Sequence, residues 1–407
     1  MSSRREFIKI SGLATLGFMG LNSWLTSAEA AVYGTSYAYN PRSLAGYGPL
    51  VKDPEGILNL PAGFRYSIIS RAGDKMDDGL SLPGLPDGMA AFSGRNGRVI
   101  VVRNHEVAPD RTEHGAFGKS NELLSQVDPE KFYDYGKSKA PGLGGTSTFI
   151  YDPNTGKIER QFLSLAGTAR NCAGGPTPWN SWLTCEETVF RVGAYDGNAE
   201  KDHGYVFEVP ATETVGLADP LPIKAMGRFN HEAVAVDSRT GIVYLTEDRG
   251  DSLIYRYIPN TKGKLHRGGK LQALAIVGQK SFDTRNWETL SAPKFPLRQP
   301  VDVEWIDIEN VESPEDDLRY QGFNKGAACF ARGEGMWYGN NEIYFACTNG
   351  GPKQNGQVFR YIPSRHEGKR RERRAPGKLE LFAESPNKEI LKNCDNLTVA
   401  PWGDVVL

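Results

Sequence analysis

The chain has 407 residues, a formal net charge of -1 and 10% aromatic residues, with 46 glycines and 25 prolines. Near-neutral charge gives no general electrostatic pull toward nucleic acid or a membrane surface. Abundant Gly and Pro, with few stretches of helical apolar period, exclude a helical protein and favour one large all-β domain over two or three mixed ones.

Residues 1–30 contain SRREFIK, an apolar run over 10–25 and the small-residue triplet AEA at 28–30. This is the basic, hydrophobic and cleavage-site order of a signal peptide, and Arg4 with Arg5 marks the twin-arginine type. The apolar run is short and broken by Gly, Ser and Asn, which suits a bilayer span poorly. The expectation is export of a folded protein by the twin-arginine machinery, then cleavage. The mature chain, 31–407, is expected as a single domain in the periplasm or outside the cell, without a stable membrane anchor.

Beyond the leader, a unit repeats: a polar cluster, a turn and an apolar strand. Its instances are PDGMAAFSGRNGRVIVVRNHE, NCAGGPTPWNSWLTCEE, NHEAVAVDSRTGIVYLTED, RGEGMWYGNNEIYFACTNG and NCDNLTVAPWGDVVL. The first four are followed by strands with a common ending, TSTFIYDP, GYVFEVP, SLIYRYIP and GQVFRYIP. Alternating aromatic or branched and polar residues predict half-buried strands, and Pro ends each ladder. One such sheet cannot bury both faces alone, but radial stacking can, so the expectation is a β-propeller of about six blades. A pair of sandwich domains is the rival reading, and it leaves the recurring polar cluster unexplained. The early segment GFRYSIIS, 63–70, is expected as a strand completing a blade begun at the C-terminus. The chain stops at WGDVVL, in what reads as the first strand of a unit, so the last blade is expected either to be closed by the N-terminal segment or to be truncated. The basic run GKRRERR at 368–374 reads as a solvated loop, not a nucleic-acid site.

Cysteines number five, Cys172, Cys185, Cys329, Cys347 and Cys394. In an oxidising compartment an odd number leaves at least one free, metal-bound or paired between chains. There is no CxxC and no HxxxH spacing, which argues against zinc.

Propeller geometry brings the innermost strand of each blade to one axis. Equivalent polar positions then converge, among them Asp87, Glu106, Cys172, Glu232, Arg332, Glu334 and Asp395. Several carboxylates at one axis repel each other and are costly to desolvate unless cations compensate them. Oxygen ligands suit calcium; a thiolate suits a transition metal, and iron also accepts carboxylates. Taken singly, Cys172 reads as a small buried core residue and Glu186 with Glu187 as caps of a surface loop. Taken together, they read as one mixed cluster. Arg332, two residues before Glu334, lies on the same side of an extended strand and can clamp an anionic oxygen, phosphate above all. A structural ion pair is the alternative for it.

Several motifs, SRREFIK, LPAGFRYSIISRAGDKMDDG, RNHE, GGTSTF, NCAGGPTPWNSWLTCEE, GRFNHEAVAVD, YLTEDR, ARGEG and CDNL, occur in the order seen in PhoX-type alkaline phosphatases, which this chain resembles over nearly its whole length. The resemblance implies a six-bladed propeller holding Fe3+ and Ca2+ around a bridging oxo group and hydrolysing phosphate monoesters outside the cytoplasm. It implies Cys172 as the iron-ligating thiolate, Glu232 and Glu334 as metal-binding or bridging carboxylates, Asp395 as a further ligand and Arg332 as the phosphate contact. Glu106 and Glu187 are further candidate ligands, and Asn396 a support for its neighbour. The implied nucleophile is a metal-bound oxo or hydroxide; GxSxG is absent and no serine is required. His105 and His231, each preceding a glutamate, are expected either to orient ligands or to be ordinary buried histidines. The competing functions are a calcium-dependent propeller lactonase or phosphotriesterase and a secreted, non-catalytic metal-binding propeller.

Overall fold

A computed structural model describes residues 49–389 and 391–407. The expected leader lies outside the described residues. Contacts divide the described residues into two compact units, one containing 49–69 with Val399–Val406 and the other Ser70–Thr398 with Leu407. In the first, β1 (Leu50–Val51) and β2 (Leu60–Pro61) pair antiparallel. The loop between them is tied by the Asp53 carboxylate, which accepts from the backbone N–H groups of Glu55, Ile57 and Leu58. Residues 63–70 form no strand. Their alternation is strand-like, but a strand exists only where a ladder partner satisfies its backbone, and Phe64, Ile68 and Ile69 stay exposed.

The second unit is built from antiparallel sheets, as the strand pattern predicts. The first sheet is β3 (Pro86–Ser93), β4 (Val99–His105), β5 (Gly144–Asp152) and β6 (Lys157–Thr168), in that spatial order. The second is β7 (Asn171–Pro176), β8 (Ser181–Glu186) and β9 (Val206–Pro210). The third begins with β10 (His231–Val236), β11 (Val243–Glu247), β12 (Ile254–Pro259) and β13 (Gly269–Ile276). Along the edge of β13 runs β14 (Val301–Asp307), whose other edge meets the last strand of a fourth meander. That meander is β15 (Gly333–Gly339), β16 (Glu342–Cys347), β17 (Gln357–Ile362) and β18 (Lys378–Glu384). Two blades thus join through β14 into a nine-stranded sheet that begins with β10 and ends with β15. A short pair at the chain end, β19 (Thr398–Val399) and β20 (Val405–Val406), falls almost wholly in the first unit. The four aromatic-rich segments that share an ending are the third strand of each meander, β5, β9, β12 and β17. The fold is all-β and propeller-like, with helix among the described residues limited to α1 (Leu318–Lys325), a four-residue turn at Ala194–Gly197 and 3-10 turns.

Apolar side chains fill the space between sheets. Phe330, Phe345 and Phe359 pack ring to ring beside Ile254, Leu274 and Leu381, all buried. Each such side chain contributes about 1.5–3 kcal/mol of transfer free energy. All five cysteines are buried and unbridged. The basic turn Arg370–Arg374 is exposed apart from Glu372, which reaches inward to Arg256.

Candidate metal centre

Each of the four meanders carries the same defect at the same place. In β3 the register runs from Pro86↔His105 to Met89↔Arg103, so Asp87 and Gly88 together face the single residue Asn104. Likewise Cys172 and Ala173 face Cys185, Glu232 and Ala233 face Thr246, and Glu334 and Gly335 face Ala346. Two residues opposite one is a β-bulge, which bends its strand and re-aims a side chain. The first bulge residue carries a potential ligand group in every meander, and the second is always Gly or Ala. Small size is needed there, because a Cβ on Gly88 would lie 2.8 Å from the Ala173 Cα, and one on Gly335 would lie 2.7 Å from the Asn396 Cα. Adjacent inner strands therefore approach each other through the residue that follows the ligand.

The bulges leave backbone groups unpaired, and neighbouring sheets supply partners. Asn104 Nδ2 donates to the Cys172 and Ala173 carbonyls at 3.1 and 2.7 Å. Thr246 Oγ1 donates to the Glu334 carbonyl at 2.7 Å. Two residues before the ligand the backbone turns left-handed at Leu85, Arg170, Arg332 and Asn393, with φ of 46°, 50°, 51° and 51°. Non-glycine residues adopt this conformation at a cost, and it clusters at functional sites.

As a result the inner positions converge. One ligand atom each from Cys172, Glu187 and Glu232 lie within 4.8 Å of one another, and so do those of Glu232, Glu334 and Asp395. Glu232 belongs to both groups. Its carboxyl is pushed well above the usual range by burial and by repulsion from Glu334 and Glu187. Glu334 is pushed up to about 9 by burial and by Asp248 and Asp395. Glu187 is raised to about 7 by burial, with Asp248 and Glu106 adding to it against the opposing pull of Arg170. Burial also raises the Cys172 thiol, with Glu232 and Glu187 adding to it. Asp87 follows, raised to about 6 by burial and Glu106. Cations at the two three-ligand groups would relieve all of these together. The donor set fits them: a thiol with two carboxylates on one side, three carboxylates on the other, joined by a shared carboxylate.

A sequence profile for alkaline phosphatase PhoX matches residues 45–407. The chain belongs to the PhoX alkaline phosphatase family. It is thus related to phosphatases of the hydrolase class, and PhoX proteins are metal-dependent. No curated protein sequence matches significantly. Among solved structures, a putative 6-phosphogluconolactonase from Bacteroides uniformis ATCC 8492 aligns at 11% identity and a TM-score of 0.32, over 79% of this chain and 77% of the other. The pyranose dehydrogenase PQQ domain from Coprinopsis cinerea aligns at 9% identity and a TM-score of 0.26, over 83% and 94%. At these scores neither bears on chemistry.

Within this PhoX-family chain the remaining site residues take distinct places. Arg332 binds Asp248 with Nε and Nη2, both at 2.7 Å, and Glu334 with Nη2 at 2.7 Å. Glu106 lies outside both three-ligand groups and accepts from Arg170 Nη2 at 2.7 Å, the nitrogen that also binds Glu187 at 2.6 Å. Asn396 donates to Asp87 at 3.2 Å, so it supports a carboxylate of the first sheet. Neither His105 nor His231 bonds a carboxylate. His105 bonds the Gly84 carbonyl and Ser147 Oγ, His231 bonds the Gly227 carbonyl and stacks on Phe229, and burial pushes both down to about 3. Both are neutral core histidines. Glu186 turns away from Glu187 and bonds His203.

Sequence reasoning missed Asp248 and Arg170. Both were readable from the repeat: the second strands end NHE, CEE and TED, which makes Asp248 the counterpart of Glu106 and Glu187. The pairs Ala169-Arg170 and Ala331-Arg332 stand at equal distance before Cys172 and Glu334.

Proposed function

We propose that the axial centre hydrolyses phosphate monoesters. Membership of the PhoX family supports phosphatase chemistry, and the observation that carries the reading to this site is the pair of three-ligand groups sharing Glu232. Cys172 with Glu187 and Glu232 suits iron, because a thiolate selects a transition metal; Glu232, Glu334 and Asp395 offer only oxygen and suit calcium. Bound there, such ions would supply Lewis acidity toward the phosphoryl oxygens and generate a nucleophile from water.

The chain's own residues would do the rest. Glu232, common to both groups, would offer a carboxylate oxygen to each position. Arg332, which pairs with Asp248 and Glu334 beside the second group, would present its fork of donors to the phosphate. Cys185 and the apolar side chains behind the inner strands keep water from the buried side of the cluster. The reading needs no serine nucleophile, and GxSxG is absent; His105 and His231 bond backbone carbonyls and Ser147, not a carboxylate of the cluster.

Export by the twin-arginine pathway and a periplasmic or extracellular site, with small phosphate esters as the partners met there, are part of the same proposal. The motif at Arg4 and Arg5 supports export. Among the described residues no helix is long and apolar enough to cross a membrane.

The test is hydrolysis of an aryl phosphate by the purified protein before chelation, after it, and after return of calcium. Activity lost on chelation and restored by calcium is the expected result. Activity indifferent to chelation would remove the centre from the reaction.

A further inference from the structure

Two arginines stand at equivalent places in the repeat, and only one has so far been given a task. Arg170 and Arg332 each precede a bulge ligand by two residues, each follows an alanine, and each has a left-handed backbone, at φ 50° and 51°. Their side chains are equally exposed, at 42%. The strands that follow them, β7 and β15, flank β10: a Cβ on Gly175 of β7 would lie 2.0 Å from the Val234 carbonyl of β10, and Thr246 of β11 bonds the Glu334 carbonyl of β15. The two guanidiniums thus come from the blades on either side of the one that carries Glu232.

Each also belongs to one of the two three-ligand groups. Arg170 binds Glu187 of the group containing Cys172, and Arg332 binds Glu334 of the group containing Asp395. Arg170 makes both of its carboxylate bonds through the same nitrogen, Nη2, and its Nε is buried with no hydrogen-bond partner among the described residues. A buried guanidinium N–H left unpaired costs free energy, so it indicates an acceptor that the protein does not itself provide. A tetrahedral phosphate dianion has enough oxygens to accept from guanidiniums on both sides of Glu232.

We propose that Arg170 is a second substrate-positioning arginine, which together with Arg332 holds the phosphoryl oxygens of a phosphate monoester from the two sides of Glu232. The proposal rests on the phosphatase reading above. It adds the requirement that the substrate present a doubly anionic terminal phosphate, since a diester has one negative charge and fewer free oxygens for two guanidiniums.

The experiment uses the full metal-loaded protein and its Arg170→Ala, Arg170→Lys and Arg332→Ala variants. Bound metal, KM and kcat for an aryl phosphate, inhibition by inorganic phosphate, and rescue by added guanidinium are measured for each. Loss of one charge-assisted contact is expected to weaken inhibition by phosphate about 10- to 100-fold in both alanine variants. Metal content should be unchanged, and guanidinium should restore part of the loss. Arg170→Lys should keep its charge on Glu106 and Glu187, load metal normally and still bind phosphate less well, because an ammonium lacks the planar fork. Unchanged phosphate inhibition in Arg170→Lys or in metal-loaded Arg170→Ala would overturn the proposal and leave Arg170 as an aligner of Glu106 and Glu187. Should Arg170→Ala fail to load metal, the lysine variant decides alone. Failure of the phosphatase reading looks different: the unmodified, metal-loaded protein would neither hydrolyse the ester nor bind phosphate.

Discussion

On one side of β8 the Glu186 carboxylate meets His203 Nδ1 at 2.6 Å and the backbone N–H groups of Ala169, Gly204 and Tyr205. His203 in turn reaches Asp134 through Nε2, and Asp134 accepts from the N–H groups of Gly136, Glu200 and Lys201. The next residue, Glu187, faces the axis, where its neighbours are Glu232, Asp248 and Glu106, with Arg170 and Asn230 as donors. Both regions bury several ionisable groups. In the first, protein donors close every charge; in the second, carboxylates face carboxylates. A buried cluster whose members raise one another's pKa values is where bound cations would relieve the most repulsion, and it is the centre proposed above for the reaction.

Glu232→Gln should separate the two regions most sharply. Removal of the shared ligand is expected to lower phosphatase activity by about 10³-fold or more, as befits lost Lewis-acid stabilisation of several kcal/mol. The same change should leave the chelated protein at least as stable as its parent, since the lost carboxylate was buried among repelling neighbours. An enzyme assay beside thermal unfolding in chelator checks both, and activity within tenfold of the parent would break the comparison.

Glu186→Gln should do the reverse. Taking one partner from a buried ionic network leaves the others uncompensated and costs about 3 kcal/mol, measured by urea unfolding, while metal content of the folded protein stays normal. Unchanged stability would show that the first region is not the structural one. Glu187→Gln, one residue away, is expected to weaken metal binding about 10- to 100-fold with the metal-free stability shifted by less than about 0.5 kcal/mol. Metal titration followed by unfolding in chelator measures the two effects.

The smallest expected effect is on pH dependence. Burial opposes protonation of His203, but Glu186 and Asp134 outweigh it and raise it from 6.5 to about 9. The folded pKa lies above the unfolded one, so this stabilisation is complete below about pH 6.5 and is lost as pH rises through about 9. The chelated parent should lose stability over that window, and His203→Gln should lack that component of the decline. Identical pH profiles would contradict a charged His203.

The all-β architecture was legible because strand alternation and Pro-terminated ladders are local signals, repeated often enough to reinforce each other. The axial residues Asp87, Cys172, Glu232, Glu334 and Asp395 were legible for a related reason, since the repeat puts each at the same place. The choice of Glu187 over Glu186 came from the family resemblance alone, because two adjacent carboxylates at the end of a strand carry no local signal of which one turns inward. The segment 63–70 has the alternation of a strand without its ladder, and the junction through β14 depends on partners far apart in sequence. Neither can be seen in a local window.

Iron and calcium content of the purified protein, compared with that of Cys172→Ser, tests the central claim most directly. The expected result is that the parent binds both metals, and that the variant loses iron and phosphatase activity together while remaining folded. A parent without iron, or a variant that keeps iron and full activity, would contradict the claim that the bulged inner strands assemble a mixed-metal phosphatase centre.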